Sequence, residues 1–550
     1  MEQFRERQIK QHLQEEPRPN YDAMWTGIEQ EVYKRKLEQT PNSSGRSRKQ
    51  WISAAVMASC FLIIGVPVFA SVALSWDGLS GGKSITAALN QGYGQQYDKQ
   101  ALSEGVTMGL HGVVADDKKM KLLVSMDPDP NGTVFDTVGF EHIQLAEASG
   151  KEVPLQGHLQ YDEQSGKLLG IYEAPNELKG RKQYVLSADN LVFYQYAEVP
   201  LKAIPQTGQT IVTDTSRYPS LGFESVQRSD GQFIVRYNVK ASEANAERWD
   251  PHLILKTNKG GADQGVRTIL PHEGSGLLIQ QEFELSEQEW AEAEFDFSYL
   301  REASRVQGSW QIDFEADGKK AAEALLSRKL LNNAEFERIT GKTLQQLVIT
   351  PLEIRIAYQE DQSMDRMKEG SVWYDSVRLM VDGKEIDGSF NLLGDDPNNY
   401  QHVYQFNSPE WYKDWSDASL KLILQDAVVT KRDTSRNWVR LPQPNKEKQY
   451  VEIKVEDFHV QFTYYMDGKD LIVESKSDDP QFKGISQTML RTAGEEIYPK
   501  MAASGPNGSG KKVERYENLN ISETLELNPG FYRYFDSARD IEIPLIETKS

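Results

Sequence analysis

Apolar residues recur at every second position in several stretches beyond residue 100. One series is formed by Met120, Leu122, Val124 and Met126, and the others lie in residues 233–239, 352–358 and 458–462. The consecutive apolar residues 471–473 follow the last series after a turn. Such alternation, bounded by turns like Asp467-Gly468, is typical of half-buried antiparallel strands. The pattern predicts that the chain is mainly β after its first 76 residues, in tandem sandwich modules of immunoglobulin-like size.

An apolar residue followed by Gly and a charged pair appears three times, around Gly150, Gly383 and Gly494. This similarity indicates either true repeats or ordinary hairpin turns, and both interpretations stay open. Turn-rich stretches set the boundaries that we predict between the modules. The predicted modules are a first β module with its leading linker (77–207), an immunoglobulin-like sandwich (208–318), a helical spacer (319–344), a third β module (345–447) and a fourth (448–550).

A charge-free segment precedes the β region. Residues 51–74 read WISAAVMASCFLIIGVPVFASVAL, and no charged residue occurs from Gln50 to Trp76. Twenty-four helical residues extend about 36 Å, which exceeds a hydrocarbon core of about 30 Å. We therefore predict one transmembrane helix within residues 50–76. Trp51 and Trp76 are placed at its two membrane interfaces, where amphipathic rings are enriched.

Other interpretations of this segment are a buried core helix, a lipoprotein box at Cys60, and a cleaved signal ending near Ala70. The favoured one is an uncleaved anchor, because a head of fifty residues precedes the segment. Gly65 and Pro67 would weaken the helix, as cleavage by an intramembrane protease requires, although proline also occurs in spans that are never cut.

The charged residues that flank this segment predict its orientation in the membrane. Arg46, Arg48 and Lys49 flank the segment on its N-terminal side, which places residues 1–49 in the cytoplasm. The net charge is −20, and residues 1–50 carry ten basic and eight acidic residues, so the acidic surplus lies beyond the segment. We predict an extracellular C-terminal part. The acidic balance argues against direct nucleic-acid binding, and the single cysteine argues against a disulfide framework.

The cytoplasmic head contains an amphipathic pattern. Tyr21, Trp25, Ile28 and Val32 fall on one face of a helix predicted over residues 21–38. Fifty residues cannot bury this face by themselves. The pattern therefore predicts a binding surface for a cytoplasmic protein partner, joined to the membrane helix by a tether at residues 40–49.

Part of the chain resembles a known family. The segment from the span to about residue 145, with AALNQGYGQ at residues 87–95 and GVTM at 105–108, resembles a domain of unassigned function in Gram-positive single-pass proteins. These Bacillus-like proteins are often described as anti-sigma factors. The module at 208–318 resembles the immunoglobulin-like domain that follows in that family. The resemblance implies that residues 1–45 hold an extracytoplasmic-function sigma factor. Zinc-containing anti-sigma heads carry a His-Cys-Cys cluster, whereas this head has only His12 and no cysteine.

Candidate chemistry is sparse in the sequence. Asp127, Asp129 and Asn131 have the oxygen spacing that begins a calcium loop, but position twelve would be Val138, which makes a solvated turn the favoured interpretation. No His-Glu-x-x-His or Gly-x-Ser-x-Gly motif occurs. The sequence predicts no enzyme, no metal site and no cofactor.

Three functions fit these observations. The first is a membrane-anchored regulator that senses an envelope signal through an unknown extracellular ligand and contacts membrane lipid, a sigma factor and an intramembrane protease. The second is a cell-surface binding or stalk protein without enzymatic activity. The third, least favoured, is an extracellular hydrolase with scattered carboxylates. The first two differ in whether residues 1–45 bind a regulator.

Overall fold

The computed structural model describes residues 74–546, except for short gaps between elements. The gaps are residues 129–131, 148–149, 176–179, 230–231, 244, 258–261, 271–275, 332, 361–369, 394–399, 410–414, 416–417, 434–437, 493–494, 500, 505–510 and 520–523. The described part is mainly β, which confirms that prediction. None of its helices has the length and apolar character needed to cross a lipid bilayer. Residues 50–73 of the predicted span lie outside the described part.

The first half of the described chain forms an 11-stranded sheet and a 5-stranded sheet, both antiparallel. The large sheet contains β1 (Gln95–Ser103), β2 (Val106–Ala115), β3 (Lys119–Met126), β4 (Thr137–Glu147), β5 (Glu152–Pro154), β6 (Gln156–Asp162), β7 (Lys167–Pro175), β8 (Arg181–Pro200), β12 (His252–Lys256), β13 (Ala262–Asp263) and β16 (Glu294–Asp317). The small sheet contains β9 (Thr210–Val212), β10 (Ser220–Ser229), β11 (Gln232–Lys240), β14 (Val266–Leu270) and β15 (Leu277–Phe283). Helix α1 (Gly82–Asn90) precedes them, and α2 (Glu287–Glu292) begins at a capping box on Ser286.

The second half forms a 12-stranded sheet and another 5-stranded sheet. The large sheet contains β17 (Leu326–Lys329), β18 (Lys342–Ile349), β19 (Glu353–Glu360), β20 (Ser371–Val381), β21 (Lys384–Leu393), β22 (Gln401–Asn407), β23 (Leu420–Arg432), β24 (Val439–Leu441), β28 (Phe482–Thr492), β29 (Glu495–Ile497), β32 (Leu525–Phe535) and β33 (Ile541–Ile546). The small sheet contains β25 (Gln449–Val455), β26 (Phe458–Asp467), β27 (Asp470–Lys476), β30 (Met501–Ser504) and β31 (Lys512–Tyr516). Two short helices, α3 (Lys319–Glu323) and α4 (Ala334–Thr340), flank β17.

The two halves repeat one topology. The first large sheet has the order β1-β2-β3-β7-β6-β4-β8-β16-β12-β13, and the second has β17-β18-β19-β22-β21-β20-β23-β32-β28-β29. The small sheets also correspond, as β14-β15-β11-β10-β9 and β30-β31-β27-β26-β25. In the second half, β32 and β33 together take the place of the single long strand β16, and both pair with β23. The repeat unit is therefore about 220 residues long, twice the module length that the sequence predicted.

A long strand joins the two cores of the first half. Strand β16 pairs with β8 over most of its length, and the C-terminal part contributes Trp310, Ile312 and Phe314 to the core of the large sheet. Its N-terminal part contributes Phe295 and Phe297 to a second core beneath the small sheet. Each small sheet is thus inserted between strands of the large sheet.

The predicted domain boundaries are wrong at three places for this reason. The segment 208–318 is not a separate module, because its last strand completes the core of the preceding one. The segment 319–344 is not a helical spacer, since it holds the edge strand β17 between two short helices and packs Phe336 and Ile339 into the core of the second half. Within 448–550, strand β33 adds Ile541 and Ile543 to that same core.

Candidate functional site

The two halves meet at a pair of matching turns. Asp116 follows β2, and its backbone N–H donates to the carbonyl of Lys119. Thr350 follows β18 and makes the same bond to Glu353. Each of the two side chains also accepts backbone N–H groups of its own turn. The Thr350 hydroxyl lies 3.0 Å from a carboxylate oxygen of Asp116, so equivalent positions of the two halves touch each other.

A buried ion pair continues this contact along the neighbouring strands. Lys119 Nζ lies 2.6 Å from Glu353 Oε2, and these side chains are 14% and 4% exposed. Arg355 lies 3.2 Å from the second oxygen of Glu353 and also pairs with Asp117. Glu173 lies 3.5 Å from Lys119 on the other side. The carboxylates and cations alternate through the junction, which compensates their removal from water.

Burial shifts the ionisation of these groups. Burial raises the pKa of Asp116, and the nearby charge of Glu353 raises it further. Burial favours the neutral amine of Lys119, but Glu353 and Glu173 outweigh it and raise the pKa of this lysine. For Lys121, burial and then the charge of Lys119 lower the pKa. The ionisable groups of the junction therefore shift one another's pKa values.

Helix α1 lies at the same junction. Ile85, Ala88 and Leu89 pack with Val114 of the first half and Leu352 of the second half. The Ser84 hydroxyl donates to the carbonyl of Ser408, which belongs to the second half. The helix that follows the charge-free segment is therefore held by both halves at once.

A second contact joins the two small sheets. Ile234 of β11 and Ile472 of β27 are buried against each other's sheets together with Val513 and Tyr465. Ile234 pairs in its own sheet with Gln227, and Ile472 pairs with Tyr465, so the residues again occupy equivalent places. Contacts between equivalent residues are the mark of an isologous, two-fold interface. The halves are related as the subunits of a two-fold dimer are.

The first large sheet also contains an open cleft. It has a volume of about 600 Å³ and lies where β4 and β6 separate, with Phe140, Tyr172, His142 and His158 among its lining residues. Ligand pockets commonly have volumes of about 300–1,000 Å³. The volume of this cleft falls within that range, so it is a candidate for a small-molecule or peptide site.

Most site residues that the sequence predicted lie outside the described part of the chain. These are Tyr21, Trp25, Ile28, Val32, Trp51, Gly65 and Pro67, together with Asp129 and Asn131 of the calcium candidate. Asp127 is described, and its carboxylate accepts the N–H of Thr107 at 2.9 Å and pairs with Lys167 at 2.7 Å.

Trp76 corrects one expectation. Its side chain was predicted to lie at the membrane interface, yet it is only 7% exposed and belongs to the apolar cluster around α1. The indole lies 5.6 Å from the ring of His111 on β2. Packing inside the folded β region therefore accounts for this tryptophan.

The sequence argument missed the junction residues. Lys119 and Lys121 alternate with Met120, just as Glu353 and Arg355 alternate with Ile354, and the sequence pattern predicted only half-buried strands at these places. One sequence signal could have revealed the junction. Lys119 and Glu353 stand at matched positions after two similar turns, and they carry opposite charges. Recognising it required the alignment of the two halves, which the residues alone do not suggest.

Comparisons with known proteins add one sequence match. The family described as a domain of unknown function (DUF4179) matches residues 45–127, about a sixth of the chain. This match confirms the resemblance to a domain of unassigned function, and it covers α1 and β1 to β3. No curated protein matches the chain. A crystal structure of a conserved domain protein from Bacillus anthracis is 11% identical, covering 65% of this chain and 82% of that one, with a TM-score of 0.27, which is too low to support a shared fold.

Proposed function

We propose that the chain is a membrane-anchored regulatory protein and a sigma-factor antagonist. In this proposal residues 51–74 cross the membrane, residues 1–49 sequester an extracytoplasmic-function sigma factor in the cytoplasm, and the β region senses an envelope signal outside. The observation that carries the proposal is the position of α1 at the junction, directly after the charge-free segment.

This position supports coupling between the two sides of the membrane. Since α1 contacts both halves, a ligand that changes how the halves pack also changes the environment of the helix nearest the segment. A ligand shifts such an equilibrium only by its difference in affinity for the two arrangements. The matched stretch 45–127 supports the same unit, because it contains the segment, α1 and the turn at Asp116.

The partner surface in the head can be tested by substitution in the full chain. We expect Trp25→Asp with Ile28→Asp to release the sigma factor, because each buried apolar side chain contributes about 1.5–3 kcal/mol to such a contact. Loss of about 3 kcal/mol weakens binding more than a hundredfold. The measurements are recovery of the sigma factor with the purified chain and the transcript level of its target genes.

A matched control is Glu29→Ala, since Glu29 lies on the same predicted helix but off the apolar face. This variant should retain the partner and leave the transcripts unchanged. Equal recovery of the partner with the wild type and with the double variant would refute the proposal. So would the absence of any sigma factor bound to the wild-type chain.

A cell-surface binding protein without enzymatic activity is the second candidate, favoured by the open cleft of about 600 Å³. Deleting residues 1–45 separates the two functions. Unchanged transcription with retained binding at the cell surface would favour the second, whereas induction of a set of genes would favour the first.

A further inference from the structure

The cleft in the first half exists because two strands part. Strands β4 and β6 pair only through Val138 and Leu159, after which β4 turns to β5 and β6 continues beside β7. Phe140 and Tyr172, whose ring centroids lie 6.1 Å apart, line the opening. Gly139 and Gly157 line it as well, and a Cβ atom on Gly139 would meet nothing within 4 Å.

The second half parts at the equivalent place. Strands β20 and β21 pair from Arg378 to Asp387, and then β21 turns to pair with β22 from Gly388 onwards. The split in each half therefore follows from the shared topology. The two splits differ in the residues that lie beside them.

Register identifies the residues that correspond across the two splits. Phe140 pairs with Leu191, which follows the left-handed residue Asn190, and Tyr374 pairs with Ala427, which follows the left-handed Asp426. The residue before Phe140 is Gly139, and the residue before Tyr374 is Trp373.

The opposite wall corresponds in the same way. Tyr172 pairs with Leu122 on one side and Gly157 on the other. Tyr404 pairs with Ile356 and Phe390. Counting from the matching turns, Leu122 and Ile356 are equivalent positions, so Gly157 corresponds to Phe390. Two glycines of the first half thus replace a tryptophan and a phenylalanine of the second.

Those two aromatic side chains close the second split. The rings of Trp373 and Phe390 meet edge to face, with centroids 5.1 Å apart and planes at 73°. Lys342 Nζ lies 4.7 Å from the Trp373 ring, and Phe390 also packs near Tyr358 at 6.3 Å. The second half therefore fills its split with two rings of its own. In the first half the place of Trp373 is open at Gly139, whereas a Cβ atom on Gly157 would clash with the Ile171 carbonyl oxygen.

We propose that the cleft between β4 and β6 is a binding site for a planar aromatic ring of a ligand, which takes the place that Trp373 takes in the second half. Phe140 is half-buried at the cleft and can pair with this ring in the offset or edge-to-face arrangements that aromatic pairs prefer, whereas Tyr172 is only 1% exposed and forms part of the core behind it. The exposed imidazoles of His142 and His158 stand at the rim and can hydrogen-bond the polar group attached to the ring. This site does not depend on the proposed membrane anchor or on the sigma factor.

The ring can come from a free aromatic compound or from an aromatic side chain of a peptide. We would titrate the full chain in lipid nanodiscs with N-acetyltryptophanamide and with the pentapeptide Ala-Ala-Trp-Ala-Ala, following saturation-transfer NMR and calorimetry. N-acetylleucinamide and chitotriose are the non-aromatic controls. Both aromatic probes should bind at one site per chain, and a peptide that binds at least tenfold more tightly identifies the peptide as the source.

Substitution of the glycine provides the direct test. Gly139→Trp, which copies the residue of the second half, should weaken binding of both probes at least tenfold, because the new indole occupies the space. Gly139→Ala, the matched small variant, should leave the dissociation constant within about twofold. Both variants keep Phe140 and Tyr172 in place.

The reciprocal variant keeps the test decisive if Gly139→Trp folds poorly. Trp373→Gly opens the second split and should raise the stoichiometry from one site to two, whereas Trp373→Phe should leave it at one. The proposal is overturned if neither aromatic probe binds the wild type, if only chitotriose binds, or if Gly139→Trp folds and binds as the wild type does.

Discussion

Replacing Lys119 with methionine should lower the free energy of unfolding by about 3 kcal/mol, because Glu353 then stays charged in a buried site without its nearest cation. Their charged atoms lie 2.6 Å apart. Arg355 remains beside Glu353 and retains part of the compensation. Urea unfolding of the full chain, followed by tryptophan fluorescence, measures the change.

The double variant Lys119→Met with Glu353→Met distinguishes an ion pair from general packing. Removing both charges should restore most of the loss, giving a coupling energy of at least about 1 kcal/mol in a double-mutant cycle. Lys421→Met is the exposed control, since Lys421 pairs with Glu542 at 2.8 Å on the surface, and such pairs contribute about 0–1 kcal/mol. An equal effect of Lys119→Met and Lys421→Met would contradict a buried charge junction.

Replacing Glu514 with glutamine should stabilise the protein at pH 8 by about 2–3 kcal/mol and leave it nearly unchanged at pH 4. Burial raises the pKa of Glu514 from 4.5 to about 7. In the unfolded chain this carboxyl loses its proton first, so its contribution to stability declines as the pH rises from about 4.5 to about 7. Glutamine cannot ionise and removes that decline.

The equivalent position of the first half shows why a glutamine fits at position 514. Gln281 occupies the equivalent position of the first half, where its side-chain oxygen accepts the N–H of Leu253 at 3.0 Å and its NH2 group donates to the Leu253 carbonyl at 2.7 Å. Glu514 accepts the N–H of Thr488 at 3.1 Å in the same way.

The check is the difference between the unfolding free energies of variant and wild type across pH 4 to 8. The reciprocal Gln281→Glu should introduce a similar pH-dependent loss in the first half. A difference curve for Glu514→Gln that stays flat across this range would show that the carboxyl ionises normally.

These two predictions concern the contacts that position the proposed sensor. Lys119 and Glu353 pair across the two halves that α1 contacts, whereas Glu514 of the small sheet of the second half accepts a hydrogen bond from Thr488 of β28. A homodimer of either half would place identical charges at positions 119 or 353 opposite each other. The lysine–glutamate pair therefore favours contact within one chain.

Part of the fold followed directly from local patterns. The alternation at residues 120–126 and 233–239 lies in β3 and β11, and the turn at Asp467-Gly468 joins β26 to β27. Period-two burial depends on a residue and its immediate neighbours, so it is visible along the chain. The similar Gly-Lys turns at Gly150 and Gly383 lie at equivalent hairpins, which the sequence alone left as a choice between repeats and ordinary turns.

The sequence by itself determined the β class, the alternating strands, the charge-free segment before them and the uneven charge on its two sides, because all four are sums over neighbouring residues. Only the tertiary structure decided which strands pair, that β16 serves two cores, and that Asp116 meets Thr350 across 234 positions. It also decided that Gly139 opens a cleft where Trp373 closes one. These features depend on pairing between strands that lie far apart in the sequence. Many strands share the same local pattern, so only the packing of the whole chain selects the partner of each strand.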